Sequence, residues 1–461
     1  MKLKIFDTIK RAKVTFSPIN QNHIKIYVCG PTVYDLPHIG NARPVVVFDT
    51  LVRLLRSHYP KVTYVRNITD VDDKINQRSI DSGENINTIT KRTAQIFSDD
   101  MSSLNALPPD IEPLATKHID EMQSMIKTLI KKEHAYEAAG HVLFNVSSMP
   151  TYGKLSQLNK REIISGARVD IAPYKRAPQD FVLWKPSNEQ LPGWESPWGR
   201  GRPGWHIECS AMSYKHLGDK FDIHGGGQDL IFPHHENELA QSKCALGNDS
   251  FAKYWMHNGY LMSEGEKMSK SIGNFYTVRN LLEDFPGEAI RLLLLKTHYR
   301  QPLDFVRHRL LEAKLELDKF YHSLSDSVSN STEETSPEDS FMSAVCDDLN
   351  TPLAISKLHE NLKDLNKATV AKKKDSLKSK LLANAKILGL LQSTPQNWFA
   401  WQPKLTVTPR LSSRDVELLI KKRTLARQNK KFKESDQIRD QLVTEGVILE
   451  DGESGTTWRR S

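Results

Sequence analysis

The stretch from Ile24 to Val65 constrains this chain most. Ile24 to Cys29 is a mostly apolar run of strand length. Pro44 to His58 carries Val46, Phe48, Leu51, Leu54 and Leu55 at helical spacing, and Val62 to Val65 is a second strand-like run. A strand, a helix and a strand in that order make a βαβ unit, whose right-handed crossover demands a parallel sheet. The loop Gly30 to Pro37 then lies at the carboxyl end of a strand, where open α/β sheets bind ligands. Gly30 and Gly40 are present but no GxGxxG is, which argues against a nicotinamide-dependent enzyme. The run Lys220 to Gly227 resumes the strand pattern and ends in Gly225, Gly226 and Gly227, which permit close backbone approach to a ligand.

A chain of 461 residues is too long for one core. The expected division is an α/β, Rossmann-like parallel-sheet domain in two halves, 1–110 and 202–250. An insertion at 111–201, rich in Pro, Gly and Trp (Trp184, Trp194, Trp198), interrupts it. A loop region follows at 251–306. A helical bundle is expected over 307–394, because Val306, Leu310, Leu317, Phe320 and Leu324 share one helical face. Leu358, Leu362 and Leu365 resume that pattern after the polar loop Ser325 to Ser340. Beyond a junction at Pro395 to Pro409 lies a small module, 410–461, with a helix from about Ser412, another that carries Ile438 and Leu442 and stops at Gly446, and the apolar run Val447 to Leu449.

Lys+Arg 64 against Asp+Glu 56 gives +8, which suits a polyanionic partner without proving one. The start, Met1 to Asp7, lacks the apolar core of a signal peptide, and nothing approaches the roughly 18 apolar residues of a membrane helix. A soluble, cytoplasmic protein is expected. Cys29, Cys209, Cys244 and Cys346 are too few and too scattered for a disulfide framework.

Two strings carry chemistry. His38-Ile39-Gly40-Asn41 opens the crossover helix, where free backbone N–H groups and the dipole favour phosphate. Lys267-Met268-Ser269-Lys270-Ser271 brackets small hydroxyl residues with two ammonium groups, a composition suited to a loop that covers a triphosphate. Each has a bland reading, a helix-capping histidine and a solvated surface loop; together, on either side of a completed sheet, they point to ATP. His234 and Glu238 are four apart and share a helical face, so with Cys29 and Cys209 they could hold zinc; His206 with Cys209, or His224 with His235, would also serve. Leu239 stands where a zincin would need its second histidine. Lys421, Lys422, Arg423, Arg427, Lys430, Lys431 and Lys433 form a basic run, which is either a solvated face or a contact for an RNA backbone. Trp458 beside Arg459 and Arg460 adds an aromatic able to stack.

The two strings resemble the signatures of class I aminoacyl-tRNA synthetases. Tyr27 to Asp35, Asn67 to Lys74, Gly204 to Ser210, His224 to Leu230, Pro233 to Glu238 and Leu449 to Gly452 are similar, more narrowly, to the cysteinyl-tRNA synthetase family, and the resemblance runs from Lys4 to Arg460. It implies ATP-dependent charging of tRNA(Cys) with L-cysteine through a cysteinyl-adenylate, and a C-terminal anticodon-binding domain. It implies one zinc ion on Cys29, Cys209, His234 and Glu238 that selects the substrate thiolate over serine, as zinc's preference for thiolate would allow. It also implies a cysteine pocket of Cys29, Thr69, Trp205 and His224. ATP contacts are expected from His38, Gly40, Asn41, Gly227, Asp229, Lys267 and Lys270, with His38, Lys267 and Lys270 catalytic and Mg2+ on the phosphates. Residues 251–306 should carry stem contacts, and a monomer is expected. Asn41 departs from the class pattern, which often has a second histidine there. A cysteine ligase of the mycothiol pathway would share the catalytic half but needs no basic module after Pro409. A silent RNA-binding relative would not need Lys267, Lys270 and all four ligands.

Overall fold

The computed structural model describes residues 2–158, 162, 172–247, 249–263, 265–266, 275–325, 336–404, 413–429, 431–444, 447–452 and 455–460. Its centre is a four-stranded sheet in the spatial order Phe251–Asn258, Lys220–Gly227, Ile24–Val28, Val62–Arg66, with every neighbour parallel. The alternation of side chains across a strand sorts two cores. Ile24, Ile26 and Val28 face the crossover helix and pack with Val46, Phe48, Leu51 and Leu55. Tyr27 and Val65 face the other way, with Ile207, Met212 and Trp255.

The crossover helix runs Ile39–His58 and so begins five residues before Pro44, which lies inside it. Pro44 removes one backbone bond, to the carbonyl of Gly40. The N-terminal cap described below offsets that loss. Between the second and third strands in sequence lies a separate antiparallel sheet, ordered Ala135–Ala138, His141–Phe144, Phe181–Pro186, Gly201–Pro203. The sequence reading saw only an irregular insertion there, because strands of three to six residues show too little alternation to register. Trp184 is wholly buried in it.

The helices His308–Ser325, Asp339–Cys346, Thr351–Lys367 and Ala371–Leu388 bury Leu310, Leu317, Phe320, Leu358, Leu362 and Leu365. The expected junction from Pro395 is in part structured: Pro395–Ala400 is a helix, and Trp398 is buried with its indole N–H donating to Asp318 at 2.8 Å. The last segment folds as Ser413–Gln428, Phe432–Thr444 and the hairpin Val447–Gly452/Gly455–Arg460 around Val416, Ile420, Leu442 and Val447. Two expectations need correcting there. Trp458 packs partly buried against this small core, so its ring is not freely presented, and Arg423 of the basic run is buried, donating to Thr456. Lys430 and Gly446 lie outside the described residues. Among those described, no helix is long and apolar enough to cross a membrane.

Candidate active site and metal centre

Cys29 follows the strand Ile24–Val28, Cys209 sits inside the helix Trp205–Leu217, His234 lies in the turn Ile231–His235, and Glu238 is in the first turn of Glu236–Leu246. The fold brings all four together. Cys29 Sγ is 3.6 Å from Cys209 Sγ, 3.5 Å from His234 Nε2 and 3.4 Å from Glu238 Oε1, and His234 Nε2 is 3.0 Å from Glu238 Oε1. A tetrahedral zinc with bonds of about 2.0–2.3 Å holds its donors about 3.3–3.8 Å apart, so this donor set fits the ion.

A second grouping, Cys29, His224, His235 and Glu238, is almost as close. Outer hydrogen bonds separate the two. A ligating imidazole needs a partner for its other N–H. His234 has one, since its Nδ1 is 2.9 Å from His206 Nδ1. His224 has none among the described residues: its Nδ1 is buried with no hydrogen-bond partner there. His224 instead lies beside the carboxylate, its Nε2 at an ion-pair distance of 3.3 Å from Glu238 Oε2. His206, an alternative ligand on spacing alone, lies behind His234 and belongs to neither grouping.

Charge in the cluster is already sorted. Burial would raise the Cys209 thiol, but the hydrogen bond from Cys29 and the His234 ring bring it down to about 6. Burial, with Cys209 and Glu238 beside it, raises Cys29 well above the ordinary thiol range. Burial opposes ionisation of Glu238, yet His224 and His234 hold its carboxyl well below the usual range. Burial would lower His234, but Glu238 and Cys209 lift it to about 10. Burial, and then His234, push His206 down to about 3, so its Nδ1 lone pair is free to accept from His234.

Of the expected cysteine pocket, Trp205 is 39% exposed and stacks on His234 with ring centroids 4.1 Å apart. Thr69 is buried and donates its hydroxyl to Glu208 at 2.9 Å. His224 is fully buried, sandwiched between Tyr27 and Trp255 and 3.6 Å from Cys29 Sγ. Glu208 and Asn67 were not singled out by the sequence reading. Burial, and then the neighbouring Cys209, raise Glu208 well above the carboxylate range. Asn67 Oδ1 accepts from the Gly30 N–H at 2.9 Å and lies 3.6 Å from Cys209 Sγ. A charged residue inside the otherwise helical, half-apolar run Trp205 to Met212 was the available signal for Glu208.

His38 caps the crossover helix. Its Nδ1 accepts from the Gly40 N–H at 3.1 Å, while Asn41 Oδ1 accepts from the His38 N–H at 3.0 Å. This is a reciprocal capping box, and it gives Asn41 a structural role. It also corrects the expectation of free N–H groups: Ile39 donates to Tyr276, Gly40 to the His38 ring and Asn41 to the His38 carbonyl. With Nδ1 accepting, the neutral His38 ring carries its proton on Nε2. The glycine run is corrected too. A Cβ on Gly225 would strike the Phe48 ring at 2.3 Å and one on Gly226 would meet His235 at 2.9 Å, so these two serve packing. Gly227 ends the strand beside exposed Asp229. Lys267 and Lys270 lie outside the described residues. The segment that follows them is placed against His38: Phe275 meets the His38 ring edge-on at 5.4 Å, and Val278 donates to the Pro37 carbonyl.

Residues 15–315 match the tRNA synthetases class I (C) catalytic domain, 340–392 the DALR domain and 408–459 the cysteinyl-tRNA ligase anticodon binding domain. Curated relatives named cysteine–tRNA ligase include those of Rhodospirillum rubrum, 56% identical with all of both chains covered, and Paramagnetospirillum magneticum, also 56% identical with all of both chains covered. Among solved structures, Mycobacterium tuberculosis methionyl-tRNA synthetase with methionyl-adenylate has a TM-score of 0.57 at 15% identity, covering 83% of this chain and 94% of its own. The Agrobacterium radiobacter K84 LeuRS–tRNA–LeuAMS complex has a TM-score of 0.56 at 12% identity, covering 86% and 88%. These two share the fold, while the full-length identities go further: the chain belongs to the cysteinyl-tRNA synthetase family of class I aminoacyl-tRNA synthetases.

Proposed function

We propose that this chain attaches L-cysteine to tRNA(Cys) in two steps. A carboxylate oxygen of cysteine attacks the α-phosphorus of ATP and pyrophosphate leaves, giving cysteinyl-adenylate. A hydroxyl of the terminal tRNA ribose then attacks the cysteinyl carbonyl, and AMP leaves. The observation that carries the reading is the group Cys29, Cys209, His234 and Glu238, whose donor atoms all lie within 4.8 Å of one another, with Cys29 3.4–3.6 Å from each of the other three. When bound there, zinc supplies a preference for a thiolate over a hydroxyl, so serine is refused without a second site.

The protein's own groups do the rest. Trp205, stacked on His234, forms an exposed wall where a small side chain can rest. Thr69 and His224 support the site from behind, through Glu208 and Glu238. His38 offers an Nε2–H to phosphate oxygens, with Gly40, Gly227 and Asp229 at the nucleotide, Lys267 and Lys270 on the phosphates and Mg2+ alongside. Residues 251–306 carry stem contacts in this reading and 410–461 read the anticodon.

The test is pyrophosphate exchange into ATP with cysteine or serine, before and after zinc removal, with charging of tRNA(Cys) alongside. Exchange with cysteine only, dependent on zinc and accompanied by charging, is expected. Exchange without charging would favour ligation of cysteine to a small acceptor instead.

A further inference from the structure

Arg43 lies in the second turn of the crossover helix, five residues after His38, and is 1% exposed. All its hydrogen-bond partners among the described residues are backbone carbonyls. Nη1 donates to Gly259 at 2.7 Å and Tyr260 at 2.6 Å; Nη2 donates to Gln301 at 2.5 Å, with Tyr299 at 3.3 Å and His298 at 3.4 Å. Burying a guanidinium against dipoles alone is costly. Burial is also what lowers its pKa to about 10. Arginine's rigid fork of donors is the side chain that can gather carbonyls from two separate segments at once.

Those segments are the two roots of one excursion. Gly259 and Tyr260 follow the last parallel strand and lead into Leu261–Ser263. His298 to Gln301 precede Leu303–Phe305, which pairs with Leu261–Ser263 in parallel. Gly259 and Tyr299 are also bonded directly, and a Cβ on Gly259 would meet Gln301 O at 2.6 Å. The pair leads on to Glu266, next to Lys267, and the returning chain bonds to the same helix end through Tyr276 to Ile39.

We infer that Arg43 is a positioning residue for adenylate formation: it fixes the strand pair Leu261–Ser263/Leu303–Phe305, the root of the excursion that contains the second string, against the helix that carries His38. This rests on the proposed function. Arg43, 1% exposed and bonded to backbone carbonyls, acts through the strand pair, and its effect is confined to the step in which pyrophosphate is still attached.

The test compares full-length wild type with Arg43→Lys, which keeps charge but not the fork, and Arg43→Gln, which keeps two donors without charge. In Arg43→Lys, kcat for cysteine-dependent pyrophosphate exchange should fall about 10- to 100-fold, the cost of small misplacements of reacting groups. KM for cysteine should not change. Single-turnover transfer to tRNA, from enzyme loaded by long incubation with cysteine, ATP and pyrophosphatase, should run at the wild-type rate. Equal losses in both steps, exchange at full rate, or loss of cooperative unfolding in both variants would overturn the inference. Absence of exchange in the wild type would instead overturn the proposed function.

Discussion

His206 and Asn41 show how much a neighbour's hydrogen bond decides. His206 accepts from His234 and so fixes which nitrogen of His234 faces the cluster. Outer partners of this kind are typically worth about 10- to 100-fold in metal affinity. His206→Ala should therefore bind zinc that much more weakly in competition with a chelator, while Cys209→Ser should fail to retain zinc through purification. Equal retention by His206→Ala would show that His234 is held by something else. Asn41 accepts from the His38 N–H, and aspartate could do the same at the positive end of the helix. Asn41→Asp should keep the stability of the wild type in denaturant but raise KM for ATP, because it adds a negative charge at the proposed triphosphate site. Asn41→Leu should lose about 1 kcal/mol, the usual worth of a cap.

At the level of elements, the helical bundle has its own pH dependence. Glu316, on His308–Ser325, accepts from His359 at 2.7 Å and thereby ties that helix to Thr351–Lys367; it also accepts from Lys296 at 2.6 Å. Burial opposes its ionisation, but the bonds from His359 and Lys296 hold the carboxyl below 4.5. A depressed carboxyl stabilises the fold fully above its unfolded value and loses that contribution as pH falls through the folded one. Hydrogen exchange in Thr351–Lys367 should thus accelerate below about pH 4.5, and Glu316→Gln should flatten that dependence. The elements themselves were unevenly legible. Three of the four parallel strands and the bundle could be read because apolar residues recur at strand or helix spacing, as in Ile24 to Val28 or Leu358, Leu362 and Leu365; the fourth strand, Phe251–Asn258, lies in the stretch expected to be loop and stem contacts. The insertion's sheet could not; the apolar pattern of the crossover helix begins at Pro44, although the sequence already puts His38 at its opening, and the part of Asn41 in the cap is a side-chain contact no periodicity records. The metal cluster was visible as a set of residue types. The choice among its histidines needed the partners of His206 and His224, which only the fold supplies.

Over the whole molecule the two large hydrophobic cores lie on the faces of one sheet, while Val416, Ile420, Leu442 and Val447 form a third, small core of their own. A segment with its own core can be lost without opening the others. In the proposed reaction the adenylate is made at the site that holds Cys29 and His38, whereas tRNA would also have to reach the basic helix Ser413–Gln428 of the last segment. A chain ending at Lys404 should therefore keep cysteine-dependent pyrophosphate exchange near the full-length rate and lose most of its kcat/KM for tRNA(Cys). If the basic run contacts phosphates, the deficit should shrink as salt is raised, since salt weakens full-length binding more. A deficit independent of salt would mean that this module reads bases without the help of its charge, and an equal loss of exchange would mean that the third core supports the first two after all.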